Sequence, residues 1–320
     1  MTLNRIHILI LEILSESGIA SSYKIAEALK AKGIHHDART IRYHIEKLAR
    51  DGLVRKHDRG ASITEKGIEA LKRHNVFGRL GEFSEKIEFN VYNCTFNLLE
   101  MKGTVPTDIA VIDKKWYDTT REIILKMAEA PFLISNLVVL RDEGELLGEF
   151  EVPEGSFALV VISNTLFDVI MRNAGINLYP EFAGLLYWKD GSRGVSEIIS
   201  YRGTTLSPGW LFLRAGMTRV WDALNGEGYL IVAIRSFSKH AVDIARMEIE
   251  MAEAKNIRGV VELSEDKNGF PFFGMKASMT VLAGLNYLAP LFESGISGEL
   301  MVNDILVDIR EFADPERVFR

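Results

Sequence analysis

The chain has little cysteine and no long apolar run. Its single cysteine, Cys94, excludes an internal disulfide and a cysteine-rich zinc site, and it favours a reducing compartment, for which we expect the cytoplasm. No apolar stretch approaches the roughly 20 residues that are needed to cross a bilayer. The first residues lead into an amphipathic helix rather than a signal peptide, so we expect no membrane segment.

The motifs that usually mark a catalytic site are also missing. The sequence contains no Gly-rich phosphate loop ending in Gly-Lys-Ser/Thr, no GxSxG elbow, no HExxH and no GxGxxG after a strand. His240, the only histidine beyond residue 75, is expected at the surface at the start of a helix. The alternating apolar residues at 89–96 predict a half-buried strand that contains Cys94. We therefore expect no enzyme activity, no resident cofactor and no metal.

Positive charge is concentrated at one end of the chain. Residues 1–75 contain 14 lysines and arginines against 9 acidic residues, a net charge of +5. The whole chain has a net charge of −6, which leaves −11 for the remainder. A small basic module on an acidic body suits contact with nucleic acid at one end only.

The spacing of apolar residues predicts three helices and a hairpin within residues 1–76. The first helix should end near Gly18, and Asp37 should cap the third. A hairpin is expected to turn at 58–60, and Thr64 can cap a last short helix. Helix, helix, helix, hairpin is the order of a winged helix-turn-helix domain, which we assign to residues 1–76.

The third helix combines a buried stripe of Ile41, Ile45 and Leu48 with a basic outer face. Such a helix suits the major groove of DNA, where arginine reads guanine edges or binds phosphates. The module could instead contact a protein or RNA. His35 and His36 precede the helix and are expected to be solvated rather than metal ligands. The residues expected to contact DNA are Arg39, Thr40, Arg42, Tyr43, Lys47, Arg55, Lys56 and Arg59.

Residues 105–320 contain an internal duplication. The tetrapeptide Met-Ala-Glu-Ala occurs at 127–130 and again at 251–254, and each time it closes a predicted helix between two apolar strands. The two copies, about 105–190 and 229–303, each predict the order β-α-β-β-α-β of a ferredoxin-like unit. Ligands often bind in clefts between such units.

Three further segments complete the predicted α+β multidomain architecture. Residues 77–104 are expected to form a linker and the first strand of the body. An extra strand near 146–150 makes the first copy longer than the second. Residues 191–228 form an insert between the copies.

The insert places hydroxyls and glycines in a loop at 199–208, before a helix predicted from Trp210 to Arg219. Free N–H groups at a helix start attract anions, and arginines are close in the sequence. An anion pocket is one interpretation, and a tight turn capped by Ser207 with solvated arginines is the other. The pocket would be formed by Arg202, Thr204, Thr205, Ser207, Arg214 and Thr218.

The segments ISYRGTTLSP at 199–208 and FLRAGMT at 212–218, following a winged helix, resemble the NrpR family of archaeal nitrogen regulatory repressors. The resemblance covers roughly residues 3–310. It implies a homodimeric repressor of nitrogen-assimilation genes that binds palindromic double-stranded operators and is released by 2-oxoglutarate. Such a small dianion suits arginine and hydroxyl donors.

The resemblance also implies a departure from the family pattern. Some members have two regulatory domains after the winged helix, whereas this chain has room for one. A second NrpR-domain protein could then supply the effector response. Two further hypotheses are a ligand-gated regulator of another pathway and an enzyme that a winged helix merely localises or dimerises.

Overall fold

The chain folds as two compact units that divide between Leu80 and Gly81. The computed structural model describes residues 3–31, 34–74, 80–189, 192–265 and 276–319. No described helix is long and apolar enough to span a bilayer. The predicted stop of the second helix at Gly33, and most of a turn predicted at 265–269, lie outside the described residues.

The first unit has the predicted winged-helix order. Asp37 caps the third helix, because its carboxylate accepts a hydrogen bond from the Thr40 N–H at 2.7 Å, and Thr64 Oγ1 caps the last helix by accepting from the Gly67 N–H at 3.1 Å. The elements are α1 (Arg5–Ser17), α2 (Ser22–Ala31), α3 (Ala38–Arg50), β1 (Val54–His57), β2 (Gly60–Ile63) and α4 (Glu65–His74).

Aliphatic residues from all three leading helices form the core of this unit. The predicted stripe of Ile41, Ile45 and Leu48 is buried in it. The hairpin packs closely on the chain before α2. The contact is made by Gly60 of the hairpin, which has a φ of 156°. A Cβ at Gly60 would lie 2.5 Å from the Ala20 carbonyl oxygen, so only glycine fits at this contact.

The second unit contains two larger sheets, a separate two-stranded sheet and eight α-helices within the described residues. Its helices are α5 (Glu82–Asn93), α6 (Tyr117–Met127), α7 (Leu166–Asn173), α8 (Pro208–Arg214), α9 (Val220–Ala223), α10 (Val242–Ala254), α11 (Leu285–Glu293) and α12 (Pro315–Val318). Its strands are β3 (Thr104–Asp113), β4 (Val139–Asp142), β5 (Leu146–Leu147), β6 (Phe150–Glu151), β7 (Ser156–Ile162), β8 (Tyr179–Lys189), β9 (Ser192–Ser200), β10 (Glu227–Ser238), β11 (Val260–Ser264), β12 (Lys276–Leu282) and β13 (Gly298–Asp308).

Both copies have the predicted β-α-β-β-α-β order, but they exchange their last strands. One sheet has the order β13-β3-β7-β4 and the other β11-β12-β10-β8-β9. The last strand of the first copy, β8, pairs with β10 of the second, and β13 pairs with β3 of the first. Each sheet is therefore completed by a strand from the other copy, which makes the two copies one body.

The predicted strand at 89–96 is wrong. These residues belong mostly to helix α5, and Cys94 is its C-cap. Phe83, Ile87 and Asn90 are the buried positions of the helix, and their spacing follows the helical period. Because the polar Asn90 interrupts the apolar stripe of the helix, the alternation of apolar residues was the clearer pattern in the sequence and predicted a strand instead.

The predicted helix from Trp210 to Arg219 is shorter than expected. Helix α8 ends at Arg214, and Gly216 then adopts a left-handed φ of 67°, which ends helices. A separate short helix, α9, begins at Val220. The extra segment of the first copy is the small hairpin of β5 and β6.

Candidate DNA interface and effector site

Helix α3 and the hairpin present a basic surface. Arg39, Arg42 and Lys47 are exposed on α3, and Tyr43 lies beside them with 59% of its surface exposed. Thr40 is half-buried. Among the described residues these three cations have no carboxylate within salt-bridge distance. Their charge is therefore available to phosphates or base edges.

The hairpin adds cations next to this helix. Arg55, Lys56 and Arg59 are all exposed. Lys56 Nζ lies 3.6 Å from a carboxylate oxygen of Glu46 on α3, an exposed pair that holds the two elements only weakly. The eight residues predicted to contact DNA thus belong to two adjacent elements, α3 and the hairpin.

A histidine pair supports α3 from behind. His44 Nδ1 lies 3.1 Å from His7 Nε2, and His7 also takes part in the cap of α1 with Asn4. Burial lowers the pKa of both histidines. A neutral pair can share one N–H···N hydrogen bond, so the pair fixes α3 against α1. His35 and His36 are exposed.

Only some of the residues that were predicted to form the anion pocket line the same cleft. Thr205 and Ser207 line a cleft of about 170 Å³ with Lys86 of α5 and Asp304 of β13. Ser207 Oγ accepts a hydrogen bond from the Trp210 N–H at 3.3 Å, which is a helix cap. Thr204 uses its hydroxyl within the turn, where it donates to the Leu206 carbonyl.

The remaining proposed effector residues lie elsewhere. Arg202 is exposed, and the Arg214 guanidinium stacks 4.8 Å from the Trp210 ring centre. Neither arginine lines the cleft that contains Thr205. Thr218 is buried in a second cleft of about 340 Å³, beside Arg219 and Glu293, and its hydroxyl has no hydrogen-bond partner within the described residues.

A buried ion pair links the two copies in the middle of the second unit. Arg235 of β10 donates from Nε to both oxygens of Asp168 on α7, at 2.8 and 2.7 Å, and its Nη2 lies 2.6 Å from the same carboxylate. The side chains of Arg235 and Asp168 are 2% and 4% exposed. Burial raises the pKa of Asp168, and the guanidinium opposes that shift.

A second buried carboxyl lies close to this pair. Asp108 of β3 accepts a hydrogen bond from the Asn303 N–H at 3.2 Å, and Ser163 also donates to it. Burial raises the pKa of Asp108 to about 7. Burial raises the pKa of Tyr201 to about 12, and the charges of Arg235, Asp168 and Asp108 all act on its phenol. The three groups are therefore close enough to Tyr201 for their charges to act on its phenol.

Asp108, Asp168, Tyr201 and Arg235 together form what we call the polar centre. It was not predicted from the sequence, although three of its residues stand out one by one. Asp168 interrupts an apolar helix, Arg235 interrupts an apolar strand, and Asp108 interrupts β3. Tyr201 belongs to the distinctive loop, but it was not among the predicted site residues. No group of three or more His, Cys, Asp or Glu side chains suited to a metal ion occurs within the described residues.

The fold defines a winged-helix protein with a duplicated α+β regulatory body. Residues 80–314 match the family of NrpR regulatory domains NRD1 and 2, and residues 8–71 match the ribonuclease R winged-helix domain. The chain therefore belongs to the NrpR family of nitrogen-regulating repressors.

Relatives and a solved structure agree with this assignment. The chain is 28% identical to the global nitrogen regulator NrpRI of Methanosarcina mazei, over 86% of each chain. It is 26% identical to NrpR of Methanococcus maripaludis, where it spans 96% of its own length but only 54% of the relative. A nitrogen repressor-like protein from Methanococcus jannaschii shares the fold, with a TM-score of 0.60 and 20% identity over 72% of this chain and 97% of that one.

Proposed function

We propose that this chain is a DNA-binding transcriptional repressor of nitrogen-assimilation genes. The observation that carries the proposal is the uncompensated basic face of α3 beside a basic hairpin. An exposed helix with arginines and a tyrosine suits the major groove, and the hairpin cations suit the backbone. The relatives are named as regulators, which favours a regulatory over a catalytic role.

The effector that we propose is 2-oxoglutarate, bound by the second unit. In a homodimer the two winged helices would bind half-sites of a palindromic operator. The metabolite would relieve repression by favouring a geometry that no longer matches the operator, and this requires different affinities for the two states. Thr205 and Ser207 are the predicted effector residues that line one cleft, in which the Lys86 ammonium is paired with Asp304.

The test is a binding titration of the full chain with a fragment of its own upstream DNA. Arg39→Ala and Arg42→Ala should each weaken binding by roughly 5- to 150-fold, the equivalent of about 1–3 kcal/mol for a base contact. Arg246→Ala removes the same charge from exposed surface of the body and is the matched control. Unchanged affinity for both α3 variants would exclude this helix as the DNA-reading element.

A second titration in the presence of millimolar 2-oxoglutarate tests the effector. Release of the DNA would support a chain that senses the metabolite alone. Binding that ignores the metabolite, but responds once a second NrpR-domain protein is added, would support a partner-dependent repressor instead.

A further inference from the structure

Helix α10 of the second copy has a counterpart in the first copy, helix α6. α6 begins at Tyr117 and α10 at Val242, an offset of 125 residues that the paired strands before them, β3 and β10, share when β7 and β12 are aligned. The inward faces of the two helices agree, because three buried positions of α6 correspond to three buried positions of α10. They are Thr120 and Ala245, Ile124 and Ile249, and Met127 and Ala252.

The outward faces of the two helices differ in polarity. On α10, Ile244, Met247 and Met251 form one stripe, because they lie three and four positions apart. Ile244 is 47% and Met247 63% exposed, and Met251 is half-buried. The equivalent residues of α6 are Thr119, Glu122 and Lys126, all exposed. The same place in the fold accepts polar residues, so packing within the chain does not account for the α10 stripe.

A cleft extends the α10 stripe away from the helix. It has a volume of about 430 Å³, and its walls include Met251 and Glu248 of α10, Leu99 of the turn at 97–102 and the end of α7. Leu99 is 71% exposed. A groove with exposed apolar side chains on both sides, methionine among them, is typical of a surface that accepts an amphipathic helix.

Acidic residues border the α10 stripe. Asp243 and Glu250 lie four and three positions from Met247 on one side of it, and Glu248 borders it on the other. Among the described residues no basic group lies within salt-bridge distance of these three carboxylates. Helix α10 contains four acidic residues and one basic residue, whereas α6 contains two of each. The outward face of α10 is therefore both apolar and negatively charged.

We propose that the α10 stripe and the adjoining cleft bind a basic amphipathic helix of another protein. Its apolar side chains would cover Ile244, Met247 and Leu99, and its lysines or arginines would face the acidic border. Apolar residues on such a helix have the same three- and four-residue spacing, so it can lie along α10. Opposite charges around an interface favour this partner and disfavour an acidic one.

Charge also argues against a second copy of this chain as the occupant. Two copies of α10 would bring two acidic borders together, and residues 76–320 as a whole carry a net charge of −11. The surface belongs neither to the proposed DNA interface nor to the cleft of Thr205 and Ser207. A partner would therefore bind at a place that the proposed function does not use.

The experiment follows the fluorescence anisotropy of a labelled peptide as the full chain is added. The peptide is a helix of about five turns that is composed of leucine on one face and lysine on the other. An analogue with glutamate in place of lysine is the second probe. The main variant, Ile244→Thr with Met247→Glu, introduces the residues of α6 at exposed positions. It should bind the lysine peptide roughly tenfold more weakly, because two apolar contacts are lost.

Leu146→Glu is the matched control. Leu146 of β5 is 62% exposed, close to the value for Met247, and the substitution adds the same negative charge as the main variant. General attraction of the lysine peptide to an acidic chain would not fall in either protein. A further variant, Asp243→Asn with Glu250→Gln, removes two carboxylates of the border. It should weaken binding roughly two- to fivefold at low salt and less at high salt.

The outcomes separate the face, the class of partner and a second copy. Loss of lysine-peptide binding in the α10 variants, but not in Leu146→Glu, would support the proposal. Equal binding by all of these proteins, an equal loss in Leu146→Glu, or no binding at all would overturn the docking surface. Equal binding of the glutamate analogue would overturn the basic class of partner. In sedimentation velocity, an oligomer that dissociates only in the main variant would assign the face to a second copy and overturn the partner protein.

Discussion

Helices α7 and α11 occupy equivalent places in the two copies, yet their buried residues differ in polarity. α7 carries Asp168 and is preceded by Thr165, whereas the equivalent residues of the second copy are Leu288 and Leu285. The Asp168 partner, Arg235, comes from β10 of the other copy because the copies share their sheets. When β7 and β12 are aligned at an offset of 120 residues, the positions equivalent to Asp168 and Arg235 are Leu288 of the second copy and Ala110 of the first. Duplication thus supplies an internal control, because the equivalent site is built without buried charges.

The difference indicates that the polar centre is kept for a reason other than stability. Replacing a buried ion pair by well-packed apolar residues is often neutral or stabilising, whereas removing one partner leaves an uncompensated charge. The equivalent positions are apolar: Leu288 on α11 of the second copy and Ala110 on β3 of the first. The stability of the first copy should therefore respond very differently to single and double substitutions.

The largest expected effect is that of Asp168→Leu alone. It should lower the free energy of unfolding by about 3–5 kcal/mol, because the guanidinium of Arg235 stays buried without its carboxylate. Adding Arg235→Met should restore most of the loss. Urea denaturation of the single and double variants measures both. Equal destabilisation of the two variants would contradict the comparison, since it would make the pair a structural requirement.

Asp108 should make stability depend on pH, and its counterpart Ala233 cannot. Burial raises the pKa of Asp108 from an ordinary 3.8 to about 7. The folded chain then binds the proton more tightly than the unfolded chain, so stability is fully present below about pH 4 and falls as pH rises through about 7. The contribution lost by pH 8 is on the order of 4 kcal/mol for a shift of this size.

The measurement compares the unaltered chain with Asp108→Asn, which stays uncharged at every pH. The variant should be close in stability at pH 4 and clearly more stable at pH 8. The other ionisable groups, including His7 and His44, are common to both proteins and cancel in the difference. Parallel stability curves would show that Asp108 keeps an ordinary pKa.

Much of the architecture follows from local patterns in the sequence. The winged helix could be predicted because the stripe on α3, the Asp37 cap and the hairpin turn are local signals. The duplication was visible in the repeated Met-Ala-Glu-Ala helix ends. Exchange of β8 and β13 between the sheets could not be predicted, because strand pairing over long separations leaves no local pattern.

The candidate site was harder to predict from the sequence for the same reason. Proximity in sequence suggested one pocket for residues 202–218, but the turn at Gly216 separates Thr218 from the cleft of Thr205. The pairing of Asp168 with Arg235 joins residues 67 positions apart, across the two copies. A lone charged residue in an apolar segment was the only available signal, and it does not identify its partner.

The smallest expected effect comes from a position where the second copy has a buried polar residue and the first has an apolar one. Asn286 of α11 is fully buried; its Oδ1 accepts from the Ile231 N–H and its Nδ2 donates to the Ile231 carbonyl, both at 2.8 Å. Its counterpart is Leu166. Asn286→Leu should cost about 1–3 kcal/mol in urea denaturation, because the buried Ile231 N–H loses its side-chain partner, whereas the Ile231 carbonyl keeps the hydrogen bond from the Ala283 N–H at 2.9 Å. Unlike Asp168, Asn286 serves a backbone bond, so no second substitution should restore the loss, and 2-oxoglutarate affinity should not change. A loss of affinity without a loss of stability would mean that the second copy also contributes to the effector site.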